Sequence, residues 1–169
     1  TIRANMHPGY QHPDFVGPSG PVDPEVAMLI VKDADNRPLA LLANYSMHYF
    51  GSPMLSSDYY GRFNTLVADA WRGPASRGTA DEKPVVMMSQ GTSGDLMWMD
   101  YGSPQRQRTL EEYSASLASI VLAALKTAES RLSDELPLVM KETTLTLKTR
   151  QASPERLATV LTYGDIELD

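Results

Sequence analysis

The chain is 169 residues long, 42% hydrophobic, with a formal net charge of -6 and no cysteine. This is the size of one ordinary domain, long enough to bury a core. The acidic balance and scattered basic residues exclude a nucleic-acid-binding stripe. Disulfides and thiolate metal ligands are excluded outright, and no apolar run approaches the ~20 residues that a membrane-spanning helix needs.

Residues 1 to 23 read as an irregular leader. "TIRANMHPGYQHPDFVGPSGPVDP" has five prolines, no periodicity and no initiator methionine. It shows no charged start, apolar stretch and small-residue cleavage site, so no signal peptide is expected. With "YGDIELD" at the other end, the chain reads as a piece of a longer polypeptide. His7 and His12 lie here, five apart and without regular structure, a poor pattern for a metal site.

From Glu25, "EVAMLIVKD" is a mostly apolar run with a β-branched centre. "DADNRP" (33 to 38) is a turn cluster and "LALLANY" (39 to 45) a second apolar run, so the pair predicts a β-hairpin. Both runs are apolar at nearly every position, which predicts strands covered on two faces. A helix is expected from Ser57 or Asp58, with Tyr59, Phe63, Leu66, Val67, Ala70 and Trp71 at helical spacing and Gly73–Pro74 as the stop. "GPASRGTADEK" (73 to 83) is a solvated loop, and "PVVMMSQ" (84 to 90) a short strand running into the turn "GTSGD" (91 to 95).

The longest regular element is predicted at Ser103 to Leu132, opened by Ser103 as cap and Pro104 in the first turn. Leu110, Tyr113, Leu117, Ile120, Val121, Ala124, Leu125 and Ala128 form its apolar stripe. "PLVMKETTLTLKTR" (137 to 150) alternates strictly at Thr144 to Lys148, the pattern of a strand with one wet face. "SPERLATVLTY" (153 to 163) starts another capped helix. Strands and helices alternate, so the fold class is α/β: a layered sheet, mixed because of the hairpin, with helices packed on it.

Three stretches carry residues with chemical potential. His48 follows the second strand and the 91–95 turn follows the third. If these strands are neighbours, both lie at the sheet edge where α/β folds place ligands. His48 is then either a metal ligand through a neutral imidazole or a histidine hydrogen-bonded at a strand end. "SSD" (56 to 58) is either a helix cap or an exposed set of N–H groups able to hold an anion. In "SQGTSGD" (89 to 95), Gly91 and Gly94 allow close backbone approach to a ligand, and Ser93 is a conceivable nucleophile with His48 as its base. The alternative is a tight strand-to-helix turn. Met87, Met88, Met97 and Met99 are expected to fill core gaps; Trp98 and Tyr101 line either a pocket or a domain contact.

Taken together, "GPVDPEVAMLIVKDADNRPLALLANYSMHYFG…LSSDYYG…VVMMSQGTSGDL" resembles the N-terminal catalytic domain of the neutral/alkaline non-lysosomal ceramidase family. The likeness spans about residues 18 to 97, through several motifs in one order. The resemblance implies a zinc-dependent amidohydrolase cleaving an N-acyl bond by metal-activated water, with a small-molecule or lipid-like amide as substrate. The family binds zinc through two histidines, a glutamate and a tyrosine; His48 matches the second histidine, and the other three ligands fall outside this stretch. Asp58 matches the aspartate of an "S-[SG]-D" motif, and Gln90, Gly94 and Asp95 match a "Q…G-[DN]" turn.

The site implied therefore has His48 on the metal and Asp58 and Asp95 as catalytic carboxylates, either one orienting His48. Ser57, Gln90, Gly91 and Ser93 face the substrate. Family members generally act outside the cytoplasm. One departure bears on specificity: ceramidases follow the turn with "[VL]-S-P-N", and here Met97 stands at the serine. A thioether cannot donate a hydrogen bond or be deprotonated, so the expected substrate is an amide or ester other than ceramide, cleaved by zinc-bound water. The competing expectation is a non-catalytic binding or scaffold domain that keeps the family fold.

Overall fold

The structure, a computed structural model, describes residues 9–18, 20–72, 83–104, 107–149 and 151–162. The chain divides into two compact units, Thr1–Ser133 and Asp134–Asp169. The first holds a three-stranded mixed sheet with helices packed against it, an α/β fold.

Strands β1 (Val26–Lys32) and β2 (Pro38–Tyr45) form the expected antiparallel hairpin. The turn between them follows from its polar residues. Asp33 Oδ1 accepts from the N–H groups of Asp35 (3.0 Å) and Arg37 (2.7 Å), while Asn36 takes the left-handed conformation at φ 65°. Asn and Asp tolerate such geometry because their short polar side chains satisfy the local backbone. β3 (Val85–Gln90) pairs parallel with β2, giving the order β1-β2-β3. A parallel neighbour needs a crossover, and α1 (Asp58–Trp71) supplies it.

The registers Met28↔Ala43↔Met88 and Ile30↔Leu41↔Val86 put these side chains on one face of the sheet. There they join Tyr59, Phe63, Val67 and Trp71 of α1, and Leu117, Val121 and Leu125 of α2 (Leu110–Ala128), in a single core. Lys32 Nζ and Trp71 Nε1 both reach Glu129 Oε1, at 2.7 and 2.9 Å, tying β1, α1 and the end of α2 together.

Two expectations fail here. The strands are covered on one face only among the described residues: Leu29, Leu42 and Met87 form one outward row, and each is at least 36% exposed. Apolar composition on both faces marked these strands as core but could not show what packs on each side. The second helix begins at Leu110 rather than Ser103. Thr109 Oγ1 accepts from Glu112 N–H (3.1 Å) and Glu112 Oε2 from Thr109 N–H (3.0 Å), a reciprocal capping box. Ser103 instead closes a turn, donating to Asp100 Oδ2 at 2.7 Å.

In the second unit, α3 (Pro154–Thr162) starts as expected, with Ser153 Oγ accepting from Arg156 N–H at 3.3 Å. The strand expected over 137–150 belongs to no ladder across residues 137–149, all of which are exposed; position 150 lies outside the described residues. No helix among the described residues is long and apolar enough to cross a membrane.

Candidate functional site at the carboxyl edge of the parallel strands

Because β2 and β3 run parallel, their carboxyl ends emerge at the same sheet edge, the side on which open α/β sheets hold ligands. The segment after β2 and the turn after β3 are joined by backbone bonds: Gly91 N–H donates to the Tyr45 carbonyl (3.0 Å) and His48 N–H to the Leu96 carbonyl (2.9 Å). Trp98 reinforces the junction, donating from Nε1 to the Phe50 carbonyl (3.1 Å) and stacking on the Phe50 ring, centroid to centroid 4.5 Å.

Gly91 is required by this approach. A β-carbon there would stand 2.5 Å from Ser46 Oγ and 3.1 Å from Asn44 Oδ1, and Ser46 is buried. Gly94 meets nothing within 4 Å. Of the two glycines, one is thus explained by the strand end behind it, and the other faces open space.

Asp58 occupies an unusual position. It has φ 49°, is buried, and its N–H donates to Ser56 Oγ at 3.0 Å. Its Oδ1 accepts from Phe50 N–H (2.8 Å) and Tyr59 N–H (2.7 Å), and its Oδ2 from Gly51 and Ser52 N–H, both at 3.1 Å. Four donors fill the roughly four lone-pair sites of a carboxylate. Burial by itself raises the Asp58 pKa, but the four N–H bonds outweigh it and hold the group below the ordinary aspartate value. The side chain therefore reaches back to shape the 50–52 turn, and no side-chain bond caps the helix from Ser57. The Asp58 bond from Tyr59 N–H satisfies one free donor of the first helical turn, but no bond from Asp58 orients His48 among the described residues.

Ser57 is exposed and sits over the first turn of α1, so close to Gly61 that a side chain at position 61 would collide with it. Gln90 Nε2 donates to the Met47 carbonyl at 3.4 Å. Ser93 is half-buried and Asp95 exposed, and among the described residues neither is hydrogen-bonded to His48. Met97 is half-buried beside Leu96 and Trp98, two residues packed on the core.

The His48 ring is half-buried and lies against Tyr49, with centroids 4.3 Å apart and planes tilted by 45°. Its Nδ1 is 3.4 Å from the Tyr49 carbonyl, a long contact. A proton on Nδ1 directed at that carbonyl leaves the Nε2 lone pair available, the tautomer a metal-binding imidazole uses. His48 thus fits one position of a zinc site. Among the described residues no group of three or more histidine, aspartate or glutamate side chains gathers around a common point. His12 accepts from Asp14 N–H at Nδ1 (3.2 Å), a local turn contact, and His7 lies outside the described residues.

The tyrosines were missed as site features. Tyr59 and Tyr113 read as members of apolar helix stripes, yet their hydroxyls are placed with purpose. Tyr59 and Tyr60 both donate to the Met47 carbonyl, at 3.2 and 3.4 Å, and the Tyr45 and Tyr113 hydroxyls pair at 3.2 Å. Burial, then neighbouring tyrosine hydroxyls, push the pKa of Tyr59 and of Tyr113 far above the ordinary tyrosine value, so both stay neutral donors. The available signal was the pair Tyr59–Tyr60: a helix stripe needs only one aromatic there, and buried tyrosines seek hydroxyl partners.

Compared with family models, curated proteins and solved structures, the chain gives no significant match.

Proposed function

We propose that this chain is part of a ceramidase-like zinc-dependent hydrolase acting on an N-acyl amide bond other than that of ceramide. The observation that supports it is the parallel pairing of β2 with β3, which brings the His48 strand end and the 91–95 glycine turn to one edge, joined through His48 N–H and the Leu96 carbonyl at 2.9 Å. His48 would hold the zinc through Nε2, oriented by the Tyr49 carbonyl rather than by Asp58 or Asp95. Zinc bound there would supply Lewis-acid activation of water and of a substrate carbonyl. Asp58 acts in this reading as a positioning residue for the turn that carries His48 and Tyr49. Gln90, Gly91 and Ser93 form the face offered to substrate, and the exposed Asp95 is the carboxylate left free for proton transfer.

The test is His48→Ala in the protein at its full natural length. We expect bound zinc to be lost and hydrolysis of N-acyl amides to fall by at least about 100-fold, with the far-ultraviolet spectrum unchanged. Unchanged zinc content and activity would refute the assignment.

A second reading, a non-catalytic binding or scaffold domain, draws on Met97 in place of a serine and on the saturated Asp58 carboxylate. It predicts that the protein binds no zinc and hydrolyses no amide while retaining the fold.

A further inference from the structure

The peptide group between Met47 and His48 is held at both ends. Met47 is fully buried, and its carbonyl accepts from the Tyr59 hydroxyl (3.2 Å), the Tyr60 hydroxyl (3.4 Å) and Gln90 Nε2 (3.4 Å). On the other side of the same peptide, His48 N–H donates to the Leu96 carbonyl at 2.9 Å. A carbonyl oxygen has two lone pairs, so three donors are one more than it can use fully. All three contacts are longer than the ~2.7–3.0 Å usual for bonds of these types, as expected of one oxygen shared three ways. The two tyrosines are consecutive on α1, and consecutive helix residues do not ordinarily face one another. Here their rings stack, with centroids 4.1 Å apart, and both hydroxyls turn to the same atom. Satisfying a single buried carbonyl needs only one of these side chains.

We propose that Tyr59, Tyr60 and Gln90 form a redundant clamp on the Met47 carbonyl, through which Tyr60 and Gln90 act as positioning residues for the His48 imidazole. A peptide group is planar, so fixing its oxygen and its N–H fixes the plane. That plane sets the backbone angle on each side, ψ of Met47 and φ of His48. With them it sets the direction in which the His48 side chain leaves the backbone. Tyr59 and Tyr60 tie the plane to the first turn of α1, Gln90 ties it to the end of β3, and Leu96 to the segment after the glycine turn. The surplus donor keeps the plane fixed when one partner lets go. Tyr59 is fully buried, whereas Gln90 is exposed at its strand end. Gln90 can serve the clamp and still face substrate, since its Oε1 has no partner among the described residues. That the imidazole so held binds zinc rests on the hydrolase reading; the clamp itself does not.

The clamp is tested without metal, by nitrogen-15 NMR of the full chain. The sequence has three histidines, and the His48 signals are those lost in His48→Gln. Tyr60→Phe and Gln90→Met each remove one donor and leave two. Each alone should leave the His48 imidazole signals in place and the exchange of its backbone N–H within about 2-fold of the unmodified chain. The double variant leaves a single donor. It should shift the imidazole signals and speed that exchange by at least about 10-fold, with the far-ultraviolet spectrum unchanged. If the double variant is unfolded, Gln90→Asn, which keeps the amide on a shorter stem, takes the place of Gln90→Met. Single variants that act as strongly as the double overturn the proposal, as does a double variant without effect. At full natural length the double variant should bind zinc about 10-fold more weakly; a moved imidazole with unchanged zinc affinity overturns the positioning role. The two readings fail separately, because absence of zinc from the unmodified protein refutes the hydrolase while the metal-free spectra still decide the clamp.

Discussion

The two arms at the sheet edge are built in opposite ways. After β2, residues 50 to 58 are over-determined: one carboxylate collects four backbone N–H groups, and Asp58 holds a left-handed backbone angle. After β3, the 91–95 turn is anchored at Gly91 and then runs free, with Gly94 facing open space and Asp95 exposed. One arm fixes position; the other leaves polar groups accessible. In the proposed hydrolase the first arm would steady the backbone that follows His48, and the second would meet the substrate.

The contrast makes graded predictions. Asp58→Ala strands the N–H groups of the 50–52 turn and should destabilise the first unit by about 3 kcal/mol, read as a lower urea midpoint. Asp58→Asn should cost less, about 2 kcal/mol, since one oxygen still accepts. If either variant unfolds at the midpoint of the unmodified chain, the 50–58 arm is not the rigid one.

The same group sets an acid limit. Its folded-state pKa is depressed below the ordinary value of 3.8, so its contribution is full above that value and is lost as pH falls through the folded pKa. Urea midpoints measured from pH 5 down to pH 2 should fall for the unmodified chain, and fall less for Asp58→Asn. An identical acid profile in the two proteins would show that the four bonds do not matter.

The glycines sharpen the comparison within a single turn. Gly91→Ala forces a β-carbon against buried Ser46 and should cost about 1–2 kcal/mol. Adding Ser46→Gly should recover part of this, which a double-mutant cycle would measure. Gly94→Ala, with nothing within 4 Å, should change stability by less than about 1 kcal/mol and in the favourable direction, by limiting the unfolded chain. Smallest of all, Asp95→Asn should leave the urea midpoint within about 0.5 kcal/mol, so any effect it has on activity reports chemistry rather than folding.

Much of the fold was legible in periodicity and turn chemistry. The hairpin, α1, β3 and α3 lie where alternation, helical spacing and the Asp/Asn/Gly/Pro breaks put them. The start of α2 was misplaced because Ser103–Pro104 is a reasonable local cap signal, and it competed with Thr109-x-x-Glu112. The capping box wins because it satisfies two N–H groups reciprocally, whereas Ser103 is occupied by Asp100. The candidate site was legible only in part. His48 and the glycine turn were correctly brought to one edge by the strand order, but the partners of each side chain were not. Asp58 read as a cap because helix starts favour Asp, and its carboxylate does take Tyr59 N–H, but its other three donors lie six to eight positions upstream. The adjacent pair Tyr59–Tyr60 was the one hint of the hydroxyls converging on Met47, and their target could not be read, since spacing records burial and not where a buried hydroxyl points.

By itself the sequence determined the local conformations, because these depend on propensity, alternation and capping over a few neighbouring residues. It also determined that His48 and Gly91 follow the second and third strands. The tertiary structure alone decided that β2 and β3 are parallel neighbours, that helices cover one face of the sheet and leave Leu29, Leu42 and Met87 in water, and that Asp58 is saturated. Those outcomes follow from contacts between distant segments, and neither hydrophobic pattern nor residue type specifies which distant segment a given face or carboxylate will meet.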